Sequence, residues 1–213
     1  MAAALVIGLS TCGGQDSIEV ATPSLARLAG TACLKPILAT AVAVEDGLLL
    51  TVAHAVAGAD EDFRAIDLEG TELGAVIVAF DPERDLALLR VDGFHDPIRL
   101  AVPEPQAAGT IAAVDGDLGI DAIPYKIIRV VGASSGDIYD QGQVLRQTIE
   151  IDAQVGPGDS GAPLLDESGA MVGLLFAESE GIEGSAWALH ISEIEGFLGS
   201  PRSDTEVDRG RCR

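Results

Sequence analysis

Three short stretches carry residues whose types suit nucleophilic chemistry. Ser160 sits in Gly158-Asp159-Ser160-Gly161-Ala162-Pro163, a hydroxyl between turn formers with apolar residues after it. A serine hydroxyl is a weak nucleophile unless a base takes its proton and a third group orients that base. The chain has 3 histidines. His54 follows the apolar run 48–50 directly, within Thr51-Val52-Ala53-His54-Ala55. His95 lies among turn residues beside Asp96 and reads as solvated, while His190 ends a late apolar segment and reads as structural. The acid is Asp85, which opens Leu86-Ala87-Leu88-Leu89, where a carboxylate is partly buried and therefore needs a partner. Asp81 precedes a proline in a turn and reads as a surface residue. His54, Asp85 and Ser160 are thus the base, acid and nucleophile of a predicted acyl-transfer site, with the backbone N–H groups of Gly158 and Ser160 facing the developing oxyanion.

Such groups work only on rigid elements. From residue 37 onward the pattern is short apolar segments split by turns: 37–44, 48–52, 63–68, 75–80 and 86–91, then, past a proline-rich connection at 102–105, 110–114, 125–131, 144–151, 162–165, 171–176 and 186–191. This spacing predicts an all-β barrel or sandwich protein with two strand clusters divided near residue 100. Helical periodicity is confined to 191–198. Residues 15–30 read as a linker with a short helical piece at 25–28, and 201–213 as a polar tail carrying Cys212.

Bulk composition narrows the function classes. The chain has 213 residues, 47% hydrophobic, with 25 glycines, 10 prolines and a net charge of −21. The acidic balance excludes nucleic acid and anionic membrane surfaces as favoured partners. It reads as solubility or, more sharply, as adaptation to acid or high salt. The 3 cysteines, Cys12, Cys33 and Cys212, form no CxxC or Cys/His cluster, so no metal is predicted and no cofactor is called for. They read as one disulfide plus one special thiol; Cys33 and Cys212 either pair, stapling the two ends of the chain, or stay as free thiols. The apolar run 2–9 ahead of Leu9-Ser10-Thr11-Cys12 has the look of an export segment and resembles a bacterial lipobox, which makes Cys12 the lipidation candidate beside ordinary export. No later run reaches the roughly 18 apolar residues of a membrane span.

Together the three motifs resemble the trypsin-like serine peptidases. These are Thr-x-Ala-His at 51–54, Asp-Leu-Ala-Leu-Leu at 85–89 and Gly-Asp-Ser-Gly-x-Pro at 158–163, in the order base, acid, nucleophile. Residues 158–166, Met171-Val172-Gly173-Leu174-Leu175-Phe176-Ala177 and Gly136-Asp137-Ile138-Tyr139 are similar to the bacterial HtrA-like and MarP-like periplasmic proteases. Ala162 stands where that group usually has glycine, and Val114-Asp115-Gly116 where Gly-Tyr-Pro is more usual. The likeness is read without a PDZ-like domain after it or a transmembrane bundle before it.

The resemblance implies two six-stranded antiparallel β-barrels, at about 31–100 and 101–200, with the active site in the cleft between them. It implies a serine endopeptidase acting on a polypeptide substrate through an acyl-enzyme, in the cell envelope or outside the cell. It also favours pairing of Cys33 with Cys212. Gln154 falls where the base of the primary pocket is expected and selects neither Arg nor Lys. Phe176, Ala177 and Glu178 are expected to form a wall that pairs with substrate as an added strand, and 186–188 a second wall. The rival readings are a catalytically silent binding or sensor protein on the same fold, and an esterase-type acyl hydrolase.

Overall fold

The computed structural model describes residues 13–179 and 181–212. Helix α1 (Gly13–Ala21) and a 3₁₀ turn (Thr22–Ser24) lead into β1 (Leu25–Ala29), β2 (Thr31–Ala32), β3 (Lys35–Pro36), β4 (Ala39–Glu45) and β5 (Leu48–Thr51). The one-turn helix α2 (Ala53–Val56) precedes β6 (Arg64–Ile66), β7 (Glu72–Gly74), β8 (Val76–Asp81) and β9 (Leu86–Arg90). The second half holds β10 (Ala108–Val114), β11 (Ile120–Ser135), β12 (Val144–Asp152), β13 (Pro163–Leu165), β14 (Met171–Glu178), β15 (Ser185–His190) and α3 (Ile191–Leu198).

The second half is a closed six-stranded antiparallel barrel in the order β10-β11-β12-β15-β14-β13. The first half is a curled seven-stranded sheet in the order β7-β6-β1-β4-β5-β9-β8. Its two edge strands, β7 and β8, are separated in the chain by Ala75 alone, so the edges are covalently tied and the sheet must curl. Counted as one bent strand, they make the six strands expected.

Strand alternation explains the packing. Successive side chains on a strand point to opposite faces. On β4, Ala39, Ala41 and Ala43 point into the first barrel, where small residues fit the tight interior, while Val42 and Val44 point to a cluster shared by both barrels. Leu49 against Leu48 and Leu50, and Ala87 and Leu89 against Leu86 and Leu88, divide the same way on β5 and β9. On β10, Ile111 and Ala113 face the second barrel's interior and Ala112 and Val114 the shared cluster. These strands bury both faces, which is why they read as continuous apolar runs.

Two expectations are corrected. Residues 25–28 are not a helical piece within a linker: Leu25-Ala26-Arg27-Leu28-Ala29 has good helix formers, but the segment is β1, buried between β4 and β6. Pairing on both sides satisfies its backbone and overrides local propensity. The sheet therefore starts ahead of residue 31. Nor is the segment after residue 200 a free tail. Ser203 and Val207 donate their backbone N–H to Val78 and Ile77, and Gly58 donates to the Arg209 carbonyl. The tail covers the first barrel and ends at a Cys33–Cys212 disulfide, Cα–Cα 5.5 Å. Cys12 lies outside the described residues.

Candidate active site

His54, Asp85 and Ser160 are each set by a different element at the seam of the barrels. His54 is carried by α2, which β5 feeds directly and which is anchored by buried Ala53 and Val56. Asp85 immediately precedes β9 and has a left-handed backbone, φ 60°. That conformation is uncommon outside glycine but more accessible to Asp. It is held by two backbone bonds: the Asp85 carbonyl accepts from Ala53 N–H (3.2 Å), and Asp85 Oδ1 accepts from His54 N–H (2.8 Å). Asp85 Oδ2 then meets His54 Nδ1 at 2.7 Å. With the carboxylate accepting, Nδ1 carries the proton and Nε2 is free to act as a base. His54 Nε2 lies 3.3 Å from Ser160 Oγ. The Asp85 side chain is 6% exposed and that of His54 18%, so the relay is shielded on the acid side and reachable on the other.

Ser160 sits on the loop 155–161. The loop is shaped by Asp159, whose Oδ2 accepts from Gly156 N–H at 2.7 Å and whose carbonyl accepts from Ala162 N–H. Burial raises the Asp159 carboxyl above its ordinary value; the Gly156 bond opposes this and Asp121 adds to it. Asp159 is thus the loop's internal brace. The N–H groups of Gly158 and Ser160 donate to no acceptor among the described residues, which leaves both available to a substrate oxygen. Gly158 has φ 107°, which fits glycine, while a Cβ there would meet open space. The glycine is required by its backbone conformation and not by crowding.

Behind the nucleophile lies a contact that the sequence did not reveal. Thr40, fully buried in β4, donates its N–H to the Ser160 carbonyl (3.0 Å), accepts from Val114 N–H at Oγ1 (2.9 Å) and accepts from Thr51 Oγ1 at its own carbonyl (2.8 Å). One residue of the first barrel so fixes both β10 and the Ser160 loop. Gly161 lies against it: a Cβ there would stand 2.2 Å from the Thr40 oxygen. The only visible signal was a threonine inside an alanine–valine run.

A cleft of about 510 Å³ opens at His54 and Ser160, walled by Ala32, Cys33, Lys35, Leu38, Pro157 and Gly158 among others. Phe176 and Ala177 are half-buried and Glu178 exposed at the end of β14, beyond Leu175, which accepts from Gly161 N–H. Gln154 is exposed and lines a different cavity of about 880 Å³ with Asp121, Asp152 and Asp159. That lining includes none of Phe176, Ala177 and Glu178. The other histidines lie apart: His95 pairs with Asp46 in solvent, and His190 caps α3, accepting from Ser192 N–H.

The model of the trypsin-like peptidase domain matches residues 39–174. The chain belongs to this family. Among trypsin-like peptidases it is 28% identical to the serine protease Rv3671c of Mycobacterium tuberculosis over 92% of its own length and 50% of the relative's. It is 32% identical to the "Probable periplasmic serine endoprotease DegP-like" of Halomonas elongata over 78% of its length and 35% of the relative's. It thus spans half or less of these relatives. The fold superposes on the crystal structure of the Rv3671c protease in its active form with a TM-score of 0.89 and 25% identity, covering 100% of this chain and 97% of that one. No group of side chains suited to holding a metal ion occurs among the described residues.

Proposed function

We propose that this trypsin-like peptidase is a serine endopeptidase that cleaves polypeptides through an acyl-enzyme. The observation that carries the reading is the continuous relay from Asp85 through His54 to Ser160, at 2.7 and 3.3 Å. His54 Nε2 takes the Ser160 hydroxyl proton as Oγ bonds to the scissile carbonyl carbon; the bond from His54 to Ser160 tightens once substrate is seated. The carbonyl electrons move onto its oxygen, which the Gly158 and Ser160 N–H groups receive. Each such donor lowers the barrier by about 3 kcal/mol in comparable sites. On collapse the C–N bond breaks and the His54 proton passes to the leaving amine. Water then repeats the sequence, returning Ser160 and releasing the acid. Asp85 holds the His54 tautomer and stabilises the imidazolium without taking its proton.

The acyl half of the substrate pairs with Phe176, Ala177 and Glu178 as an added strand, since β14 has no β13 partner past Leu174. The leaving half then runs past His54 into the 510 Å³ cleft. The periplasmic relative favours a place in the cell envelope, with Cys12 as a lipid anchor; the mass of Cys12 in membrane-fraction protein decides the anchor, and an unmodified thiol removes it.

The test of the reaction is labelling by a fluorophosphonate probe together with turnover of a quenched peptide library. Wild type labels at Ser160 and cleaves; Ser160→Ala does neither while keeping the unfolding temperature of wild type. Turnover that survives in Ser160→Ala would falsify the assignment.

A further inference from the structure

The cleft beside His54 and Ser160 differs in chemistry from the rest of this acidic surface. The chain carries 34 Asp and Glu residues, yet none of those among the described residues lines that cleft. Across the Ser160 loop, the neighbouring cavity has three, Asp121, Asp152 and Asp159. The apolar lining of the cleft includes exposed Pro36 and Leu38, the latter 49% exposed, beside the buried Ile37. Its one permanently charged group is Lys35, and the whole chain has only one other lysine, Lys126. Lys35 forms no ion pair among the described residues.

The backbone that presents Lys35 is unusually constrained. β2 and β3 are joined by the two residues Cys33 and Leu34, both with positive φ, 53° and 67°. Two-residue hairpin turns of this kind ordinarily use Asn and Gly. Here the turn is pinned instead by the bond from Cys33 to Cys212. A free ammonium group is thereby held on a stiff hairpin at the mouth of a cleft that no carboxylate of the described residues lines, close to where the leaving amine must depart.

We propose that Lys35 makes this cleft select a carboxylate on the leaving half of the substrate, with an apolar residue packed on Pro36 and Leu38 next to the cleaved bond. This rests on the endopeptidase reading and on the substrate direction given with it. The carboxylate is either an acidic side chain within the first few residues after the cleaved bond or the C-terminus of a short leaving segment. Both present the same group to Lys35.

Quenched peptides with one acyl half and four leaving halves separate the two sources: Leu-Glu or Leu-Gln, each ending in a free acid or an amide. The selectivity ratio, kcat/KM for a carboxylate-bearing peptide over the Leu-Gln amide, is expected at about fivefold in wild type, the size of a well-placed exposed ion pair. It falls to one in Lys35→Gln, inverts in Lys35→Glu and shrinks toward one in 1 M salt, where screening is nearly complete. A gain confined to Leu-Glu amide assigns the side chain; a gain confined to Leu-Gln acid assigns the terminus. A ratio of one in wild type, or the same ratio in wild type and Lys35→Gln, overturns the proposal. Anisotropy of the labelled leaving halves on Ser160→Ala protein reads the same ratio as affinities without turnover. An enzyme that cleaves none of the peptides therefore refutes the reaction, while the binding ratio still decides Lys35.

Discussion

At the scale of single residues, Asp85 bears the most constraint. It adopts a left-handed backbone, presents both carboxylate oxygens to His54 and is almost wholly buried. Replacing it by Asn keeps the shape but turns an acceptor into a donor toward Nδ1, so His54 is driven to the tautomer that cannot take the Ser160 proton. Asp85→Asn is expected to lower kcat about 10⁴-fold while leaving substrate affinity near wild type, checked by steady-state kinetics beside a circular dichroism spectrum. His54, Asp85 and Ser160 were legible in the sequence because each is chemically out of place: a histidine in an apolar flank, a carboxylate opening an apolar run, a serine among glycines. Thr40 was not legible. A threonine is an ordinary strand residue, and its value lies in bonds to Ser160 and Val114, both remote in sequence.

At the scale of elements, alternation located the apolar strands because burial on defined faces leaves a period of two. It failed where backbone pairing, and not side-chain pattern, fixes the conformation. The β1 sequence suggests helix because Leu, Ala and Arg favour helix locally, and β2 and β3 are too short to show a pattern. The segment after residue 200 is polar, yet it docks through main-chain bonds to Val78 and Ile77, which composition does not reveal. Thr40 ties β4 to β10 and to the Ser160 loop, so it tests how the barrels are joined. Thr40→Val keeps the volume but leaves the Val114 N–H buried without its acceptor. The expected cost is about 1–3 kcal/mol in urea unfolding, with kcat near wild type because the backbone bond from Thr40 N–H to the Ser160 carbonyl is kept. An unchanged urea midpoint would show that the Thr40 hydroxyl adds nothing to the joining of the barrels.

At the scale of the whole molecule, pH acts through the seam between the second barrel and its last helix. His190 caps α3 by accepting from Ser192 N–H, which requires an unprotonated Nδ1. Burial lowers its affinity for protons below the ordinary value of 6.5, and nearby Glu193 and Glu195 only partly oppose this. The unfolded chain thus binds more protons than the folded one as pH falls below about 6.5, and stability declines over that range. His190→Asn keeps a capping acceptor that does not titrate. The variant is expected to lose less stability than wild type between pH 7.5 and 5, measured as the shift in urea midpoint. Parallel profiles for the two proteins would exclude His190 as a source of the dependence. The net charge of −21 supplies a separate, smoother background that both proteins share.

The bond from Cys33 to Cys212 also imposes an order in time. Cys33 belongs to the wall of the reactive cleft, but its partner lies 179 residues later. During synthesis or translocation, His54, Asp85 and Ser160 all emerge before Cys212 does. His54, Asp85 and Ser160 can therefore come together while that wall is still unsecured, and the cleft receives its covalent edge only once the chain as far as Cys212 has emerged.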